Sequence, residues 1–114
     1  MIARLLIAIA GSEKLEPITL HPYIIDTLMP DLVGHDRHPS AFLVFLFLHR
    51  RTEMGACAVS LRQIAEGTGL SKRAIQSALT RLVKRKLVSI ERAGITAIPK
   101  YRIHQPWCTS QAHE

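Results

Sequence analysis

The sequence contains few of the residues that mark disulfide-rich, zinc-binding or membrane proteins. Its two cysteines, Cys57 and Cys108, are separated by fifty residues and form no paired spacing, so we expect two reduced thiols. The apolar run at residues 41–48 is less than half of the roughly 20 residues that span a bilayer. The apolar start, residues 1–12, is too short for a typical signal peptide. These absences predict a cytoplasmic protein without a membrane segment.

Catalytic and metal-binding motifs are also lacking. The sequence has no glycine-rich phosphate loop, no nucleophile elbow and no zincin pair, so nothing in it specifies a reaction. His35 and His38 have Asp36 between them, but this spacing lacks a third and a fourth ligand and is typical of a solvated loop. We therefore expect no enzyme, with no catalytic residues, no metal and no cofactor.

Acidic residues are scarce in the second half of the chain. Residues 54–105 contain ten basic and two acidic side chains, a net charge of +8, whereas the rest of the 114-residue chain sums to −2. Hydrophobic residues make up 47% of the chain, which is the balance of a folded protein, and the length fits one domain. A polyanion is therefore the expected partner of the second half.

Two strands and a helix are predicted in the first part of the chain. The apolar residues at positions 1–10 show no clear helical or strand period, and this segment is interpreted as a strand. A short strand is predicted at residues 18–20. A helix is predicted from His21 onward, because apolar residues recur in pairs four positions apart. Pro30 is expected to kink or end this helix, and Gly34 to stop it. The paired apolar residues are Ile24, Ile25, Leu28, Met29, Leu32 and Val33.

Three further elements are predicted between residues 41 and 67. The length and the basic last turn of residues 41–51 favour a buried helix, and residues 56–59 are predicted to form a short strand. Ser60 stands three residues before Gln63, the spacing of a capping box, which predicts a helix that starts at the next residue. Gly67 is expected to end this helix after about two turns, because glycine adopts the left-handed conformation freely.

A second capped helix is predicted over residues 71–85. Ser71 is its N-cap candidate, and apolar residues at helical spacing predict a buried side. These apolar residues are Ile75, Ala78, Leu79, Leu82 and Val83. The opposite side combines cations, an amide and small hydroxyl groups, which suit phosphates, adenine and close approach to DNA. It consists of Lys72, Arg73, Gln76, Ser77, Thr80, Arg81 and Lys84.

The stretch VSLRQIAEGTGLSKRAIQSALTRLVKRKLVSI, residues 59–90, resembles the bacterial winged helix-turn-helix superfamily along its whole length. Ala65, Gly69 and Ile75 match the small residue, the turn glycine and the buried aliphatic residue of that family. A longer resemblance, over residues 18–104, is to helix-turn-helix domains of transcriptional regulators and of phage and plasmid replication proteins. The resemblance implies a mainly α fold with a small β-wing, in which a three-helix core is preceded by an additional helix.

The wing is predicted directly after the second helix. Residues 87–92 and 95–104 are strand-like and are joined by a turn at residues 93–94. Pro99 cannot donate to a ladder, so the second wing strand is expected to be an edge there or to be interrupted. The residues expected to alternate toward the core are Val88, Ile90, Tyr101 and Ile103.

These patterns predict a protein that binds double-stranded DNA, with helix 71–85 in the major groove and wing 88–104 beside it. A transcriptional regulator associated with the nucleoid is the leading hypothesis. A replication-initiator domain with the same contacts, and a winged-helix module that docks on an acidic protein, are the alternatives. The predicted DNA-binding residues are Ser71, Lys72, Arg73, Gln76, Ser77, Thr80, Arg81, Lys84 and Arg92.

The expected organisation is a winged helix-turn-helix domain at residues 18–105 between two extensions. Residues 1–17 form an apolar segment and linker, interpreted as a strand or a dimerisation element, and residues 106–114 form a tail that contains Trp107. A homodimer through the N-terminal segment is a hypothesis, because winged-helix proteins of this size often bind two DNA half-sites as dimers.

Overall fold

Four helical segments and three strands form in the part of the chain that the computed structural model describes, residues 17–52, 55–94 and 96–105. In chain order they are α1, with the stretches Ile24–Leu28 and Pro30–His35, α2 (Pro39–Arg51), β1 (Ala56–Ala58), α3 (Leu61–Thr68), α4 (Lys72–Lys84), β2 (Val88–Glu91) and β3 (Lys100–Ile103). This order confirms the predicted three-helix core with a wing and a preceding helix. The predictions for residues 1–16, for Cys108 and Trp107 and for the tail lie outside the described residues.

α1 is a π-helix rather than the predicted α-helix. The Met29 N–H bonds to the carbonyl of Ile24, and the Asp36 N–H bonds to that of Asp31 at 2.9 Å, five residues back in both cases. In an α-helix the ring of Pro30 would clash with the carbonyl four residues back, and the wider turn relieves that clash. Pro30 therefore does not end the helix, as one of the two expectations had it, because the helix continues through Pro30 to His35.

The buried residues of α1 form a narrower stripe than the sequence predicts. Every fourth residue is buried, namely Ile24, Leu28 and Leu32, whereas Ile25 is 40% exposed and Val33 is 38% exposed. The prediction of a stripe two residues wide is thus wrong for Ile25 and Val33, whereas Met29 is partly buried against the core, as predicted.

Two boundary predictions around α1 are also corrected. Gly34 lies inside the helix, and the chain reverses at Arg37, which has a φ of 53°. The expected strand at residues 18–20 belongs to no ladder among the described residues, and its Ile18 is 49% exposed. Without a pairing strand, residues 18–20 do not form a β-strand.

Caps define α3 and α4 as the sequence predicts. Ser60 Oγ accepts from the Gln63 N–H at 3.1 Å, and the Gln63 side chain accepts from the Ser60 N–H at 2.9 Å. Ser71 Oγ accepts from the Ala74 N–H at 3.1 Å at the start of α4. Each serine hydroxyl thereby satisfies one of the four backbone N–H groups that lack a partner at a helix start. These caps fix where both helices begin.

Of the two glycines near the end of α3, Gly69 is the turn glycine, as predicted, and Gly67 has a different role from the one predicted. α3 continues through Gly67 to Thr68, and the left-handed residue is Gly69, with a φ of 80°. A Cβ on Gly67 would lie 2.1 Å from Cε1 of Phe47, so this glycine permits the close approach of α3 to α2. Gly67 is therefore a packing position, and the prediction that it ends the helix is wrong.

One hydrophobic core joins the helices to the sheet. From α4 it receives Ile75, Ala78, Leu79 and Leu82, whereas Val83, predicted to be buried, is 41% exposed. The largest side chains with less than 2% exposure are Tyr101, Phe45, Ile24, Leu32, Leu48, Ile64, Ile75 and Leu82. The free thiol of Cys57 is also buried, and burial raises its pKa, so this thiol is held in its unreactive protonated form.

The sheet is antiparallel with the order β1-β3-β2. β3 lies in the centre, where Tyr101 pairs with Cys57 on one side and with Ile90 on the other. The second wing strand begins at Lys100 and not at residue 95, because Pro99 immediately before it cannot donate to a ladder. Of the residues predicted to face the core, Ile90 is 39% exposed. Among the described residues, no helix is both long and apolar enough to cross a membrane.

Candidate nucleic-acid interface

α4 is held to the core by one side and presents the opposite side to solvent. Ile75 and Leu82 are fully buried, which fixes the rotation of the helix about its axis. The predicted contact residues of α4 that are exposed are Ser71, Lys72, Arg73, Gln76, Ser77, Thr80 and Lys84, and Arg81 is partly buried. The structure therefore brings eight of the nine predicted site residues together on one helix face.

The small polar groups on this face are not equally available. Thr80 Oγ1 donates to the backbone carbonyl of Gln76 at 2.9 Å. Ser77 Oγ lies 3.1 Å from Nε2 of His38, whose Nδ1 lies 3.2 Å from Ser40 Oγ. Within the described part of the chain the Gln76 amide forms no hydrogen bond to protein, so its donor and its acceptor are both available to a ligand.

Acidic side chains near the second half of the chain are already paired. Glu66 accepts from Arg62 Nε at 3.2 Å, and Glu91 accepts from Arg102 Nε at 2.5 Å. The cations that form no ion pair with described residues include Lys72, Arg73, Lys84 and Arg92. The positive charge of the α4 face is therefore not cancelled by acidic side chains in the described part of the chain.

The end of α4 is fastened to α1 by an ion-pair cluster. Arg85 Nη2 contacts Asp31 Oδ2, and Arg85 Nη1 lies 3.4 Å from Asp36 Oδ1. His35 Nδ1 lies 3.0 Å from the same Asp36 oxygen. The hydrogen bond from His35 and the charges of Arg85 and Arg81 outweigh burial and hold the pKa of Asp36 below its usual value.

The prediction of a solvated loop is wrong for Asp36, whose side chain is only 5% exposed, whereas the His35 side chain is 79% exposed, as predicted. Asp31, His35 and Asp36 offer ligand atoms within 4.8 Å of one another, which is a spacing that a metal ion can use. The Arg85 guanidinium contacts both carboxylates, so it supplies the positive charge that this cluster requires.

The wing forms the second wall of the candidate interface. Residues 92–99 connect its strands, and Arg92 at the start of this loop is exposed. A groove of about 480 Å³ separates the wing from α4. It is lined by Leu61, Gln76, Leu79, Thr80, Val83, Ile90, Arg92 and Tyr101. The predicted wing contact, Arg92, thus lies beside the predicted base-reading residues of α4.

Three features of this region have no signal in the local sequence. They are the contact between His38 and Ser77, the pairing of Arg85 with α1, and the packing of Gly67 on Phe47. Each joins residues from different elements, so neither a helical period nor a cap motif reports it. Lys84, Arg85 and Lys86 form a basic cluster at the end of α4 that is visible in the sequence. The sequence does not show which of these cations are paired.

The order helix, strand, two capped helices and a two-stranded hairpin defines a winged helix-turn-helix domain. Residues 38–88 match the family model described as a helix-turn-helix domain, which covers α2, β1, α3 and α4. The chain is also similar to the crystal structure of the AntR antimony-specific transcriptional repressor, with a TM-score of 0.45 and 19% identity over 90% of this chain and 84% of that one. Comparison with curated proteins finds no match. The fold and the matched segment agree with the predicted fold class, a helix-turn-helix domain.

Proposed function

We propose that this protein binds double-stranded DNA as a transcriptional regulator, with α4 in the major groove and the wing against the neighbouring backbone. The observation that carries this proposal is the exposed face of α4. It presents Lys72, Arg73 and Lys84, which form no ion pair with the described acidic residues, while the opposite face of the same helix is buried. A rigidly held, cationic helix of 13 residues has the shape and charge that the major groove admits.

The proposed contacts fall into two groups. Ser71, Lys72, Arg73, Arg81, Lys84 and Arg92 would contact phosphates, which set affinity and orientation. Gln76, Ser77 and Thr80 lie between them on α4 and would face base edges. The available amide of Gln76 among these cations favours DNA over an acidic protein partner, which requires charge alone. The helix-turn-helix family match supports a regulator and not an enzyme.

Titration of the full chain against a random duplex pool over a salt series tests the proposal. If about six phosphates are neutralised, log affinity should fall against log salt with a slope near roughly −5. The variant K72A/R73A should bind about tenfold more weakly or worse, with a slope shallower by about 2. The slope becomes shallower because the variant contacts two fewer phosphates and so releases about two fewer counterions on binding.

The matched control is R50A/R51A, which removes the same charge from the far end of α2. His38, just before α2, lies against Ser77 of the proposed interface, and α2 is 13 residues long. Its last turn is therefore about 18 Å from that contact. Equal losses of affinity in both double variants would show that net charge, and not the α4 face, determines binding. An unchanged salt slope in K72A/R73A would remove these two residues from the site.

Selection of enriched duplexes then separates the regulator from the replication initiator. Enriched sequences that lie upstream of genes support transcriptional regulation. A cluster of repeats at a replication origin would favour the initiator alternative. Absence of duplex binding at low salt, with retained binding to an acidic protein, would favour the protein-interaction module.

We further propose that the protein is a nucleoid-associated homodimer in the cytoplasm, with the N-terminal segment as the dimer contact. The support is the two-fold symmetry of operators, which pairs two recognition helices one helical turn of DNA apart. Light scattering after size-exclusion chromatography should give twice the 12.8 kDa chain mass at micromolar concentration. A monomer mass, both alone and on a palindromic duplex, would contradict the dimer.

A further inference from the structure

We infer that the groove between α4 and the wing reads a thymine by its 5-methyl group, through the methyl group of Thr80, next to an adenine read by Gln76. This inference rests on the proposed DNA binding and adds a base preference to it. Its basis is the commitment of two hydroxyl groups on α4 to protein partners, together with the apolar lining of the groove.

The orientation of Thr80 carries the first step. Its hydroxyl donates to the carbonyl of Gln76 at 2.9 Å, so the only proton of this side chain that can form a hydrogen bond points back along the helix. What the exposed Thr80 side chain offers outward is its methyl group. A threonine methyl is one of the groups that contact the thymine methyl in the major groove.

The apolar surface beside Thr80 carries the second step. Val83 is 41% exposed and Ile90 is 39% exposed, and both line the groove with Leu79. Exposed hydrocarbon between cations has no favourable partner in a phosphate or in a polar base edge. Among the groups that the major groove displays, the thymine methyl is the apolar one. Arg92, which also lines this groove, supplies a cation for the adjoining backbone.

Gln76 supplies the third step, because it stands one helical turn before Thr80 and lines the same groove. Its amide forms no hydrogen bond among the described residues, and an amide can pair with N6 and N7 of adenine. Four helical residues rise about 6 Å, which is roughly two base-pair steps of 3.4 Å. The adenine and the thymine should therefore lie one or two base pairs apart. Ser77 is bonded to His38 and is not required for this reading.

The experiment compares an enriched duplex with copies in which single thymines are replaced by deoxyuridine, which pairs identically and lacks only the methyl group. The wild type should lose about three- to fivefold in affinity at one or two positions, as expected for one buried methyl group. The variant T80S keeps the hydroxyl and removes the methyl, so its loss of affinity on the deoxyuridine duplex should be smaller than that of the wild type. T80V keeps the methyl and removes the hydroxyl, so it should retain the discrimination.

Two results would overturn the inference while leaving DNA binding intact. One is salt-dependent binding with no loss at any deoxyuridine position. The other is a T80S variant that discriminates thymine from uracil as strongly as the wild type. No duplex binding at low salt would instead overturn the proposed function, and this inference with it. Q76A should relax preference at one neighbouring A·T pair by about tenfold, and an unchanged preference there would contradict the adenine contact.

Discussion

Replacing Leu82 with alanine should lower the free energy of unfolding by about 2–5 kcal/mol, enough to leave a small domain partly unfolded. Leu82 is fully buried on the side of α4 that packs against the core. The truncation removes the transfer free energy of the lost carbon atoms and leaves a cavity that neighbouring helices cannot fill completely. Urea unfolding followed by circular dichroism measures the loss.

Val83 provides the control at the next position along the same helix. It is 41% exposed, so V83A should change the free energy of unfolding by less than about 1 kcal/mol. The difference between L82A and V83A tests the rotation of α4 about its axis, on which the exposure of the cationic face depends. Comparable losses in the two variants would place both residues in the core and would turn that face partly inward.

The exposure of Val83 also shows what the spacing of apolar residues on a helix cannot predict. The spacing of Ile75, Ala78, Leu79, Leu82 and Val83 predicts a single buried side, and four of the five are buried. The fifth lies at the edge of that side, where the neighbouring element decides its exposure. Here the neighbour is the wing, which stands off from α4 across a groove. A period defines the centre of a buried face and leaves its width to tertiary structure.

The first helix shows a different limit of the pattern. Apolar pairs four residues apart predict a helix, and a helix forms, but the pattern does not report a change from α to π hydrogen bonding. That change follows from Pro30, whose ring is tolerated where the turn is wider. By contrast, the capping positions Ser60 and Ser71 were predictable to the residue, because a cap depends on atoms three residues apart.

Of the candidate site, the residues on α4 could be predicted and their partners could not. The amphipathic pattern places Lys72, Arg73 and Gln76 on the polar side without knowledge of the rest of the fold. Arg85 belongs to the same basic cluster by sequence, yet it is paired with carboxylates 49 and 54 residues earlier. Only the tertiary packing of α1 beside α4 separates a structural arginine from cations available to DNA.

Replacing Arg85 with methionine should therefore lower stability by about 2–3 kcal/mol at neutral pH. The Asp36 side chain is 5% exposed, and its second oxygen already lacks a hydrogen-bond partner, so loss of the guanidinium leaves a buried charge less compensated. Arg85 itself is 29% exposed, which places the expected loss below that of a fully buried pair. Thermal and urea unfolding both measure it.

The double variant R85M/D36N separates lost charge from lost packing. Removal of the Asp36 charge should restore most of the stability that R85M loses, whereas a packing defect would remain. A double variant no more stable than R85M would contradict the electrostatic account. K84M is the matched control, because Lys84 is exposed, forms no ion pair with described residues and lies one position earlier. It should leave stability within about 0.5 kcal/mol of wild type.

The same cluster predicts how the free energy of unfolding changes at acid pH. The pKa of Asp36 is lowered by its hydrogen bond from His35 and by the nearby Arg85 and Arg81 charges, so the folded state binds its proton less readily than the unfolded state. Its contribution is present above the unfolded pKa of about 4 and is lost as pH falls through the lower folded value. The cost of R85M should therefore shrink below about pH 4, because protonated Asp36 has no charge for Arg85 to compensate. D36N should make the free energy of unfolding less dependent on pH in this range. A cost of R85M that stays constant from neutral to acid pH would show that the arginine acts through its hydrocarbon chain, not through its charge.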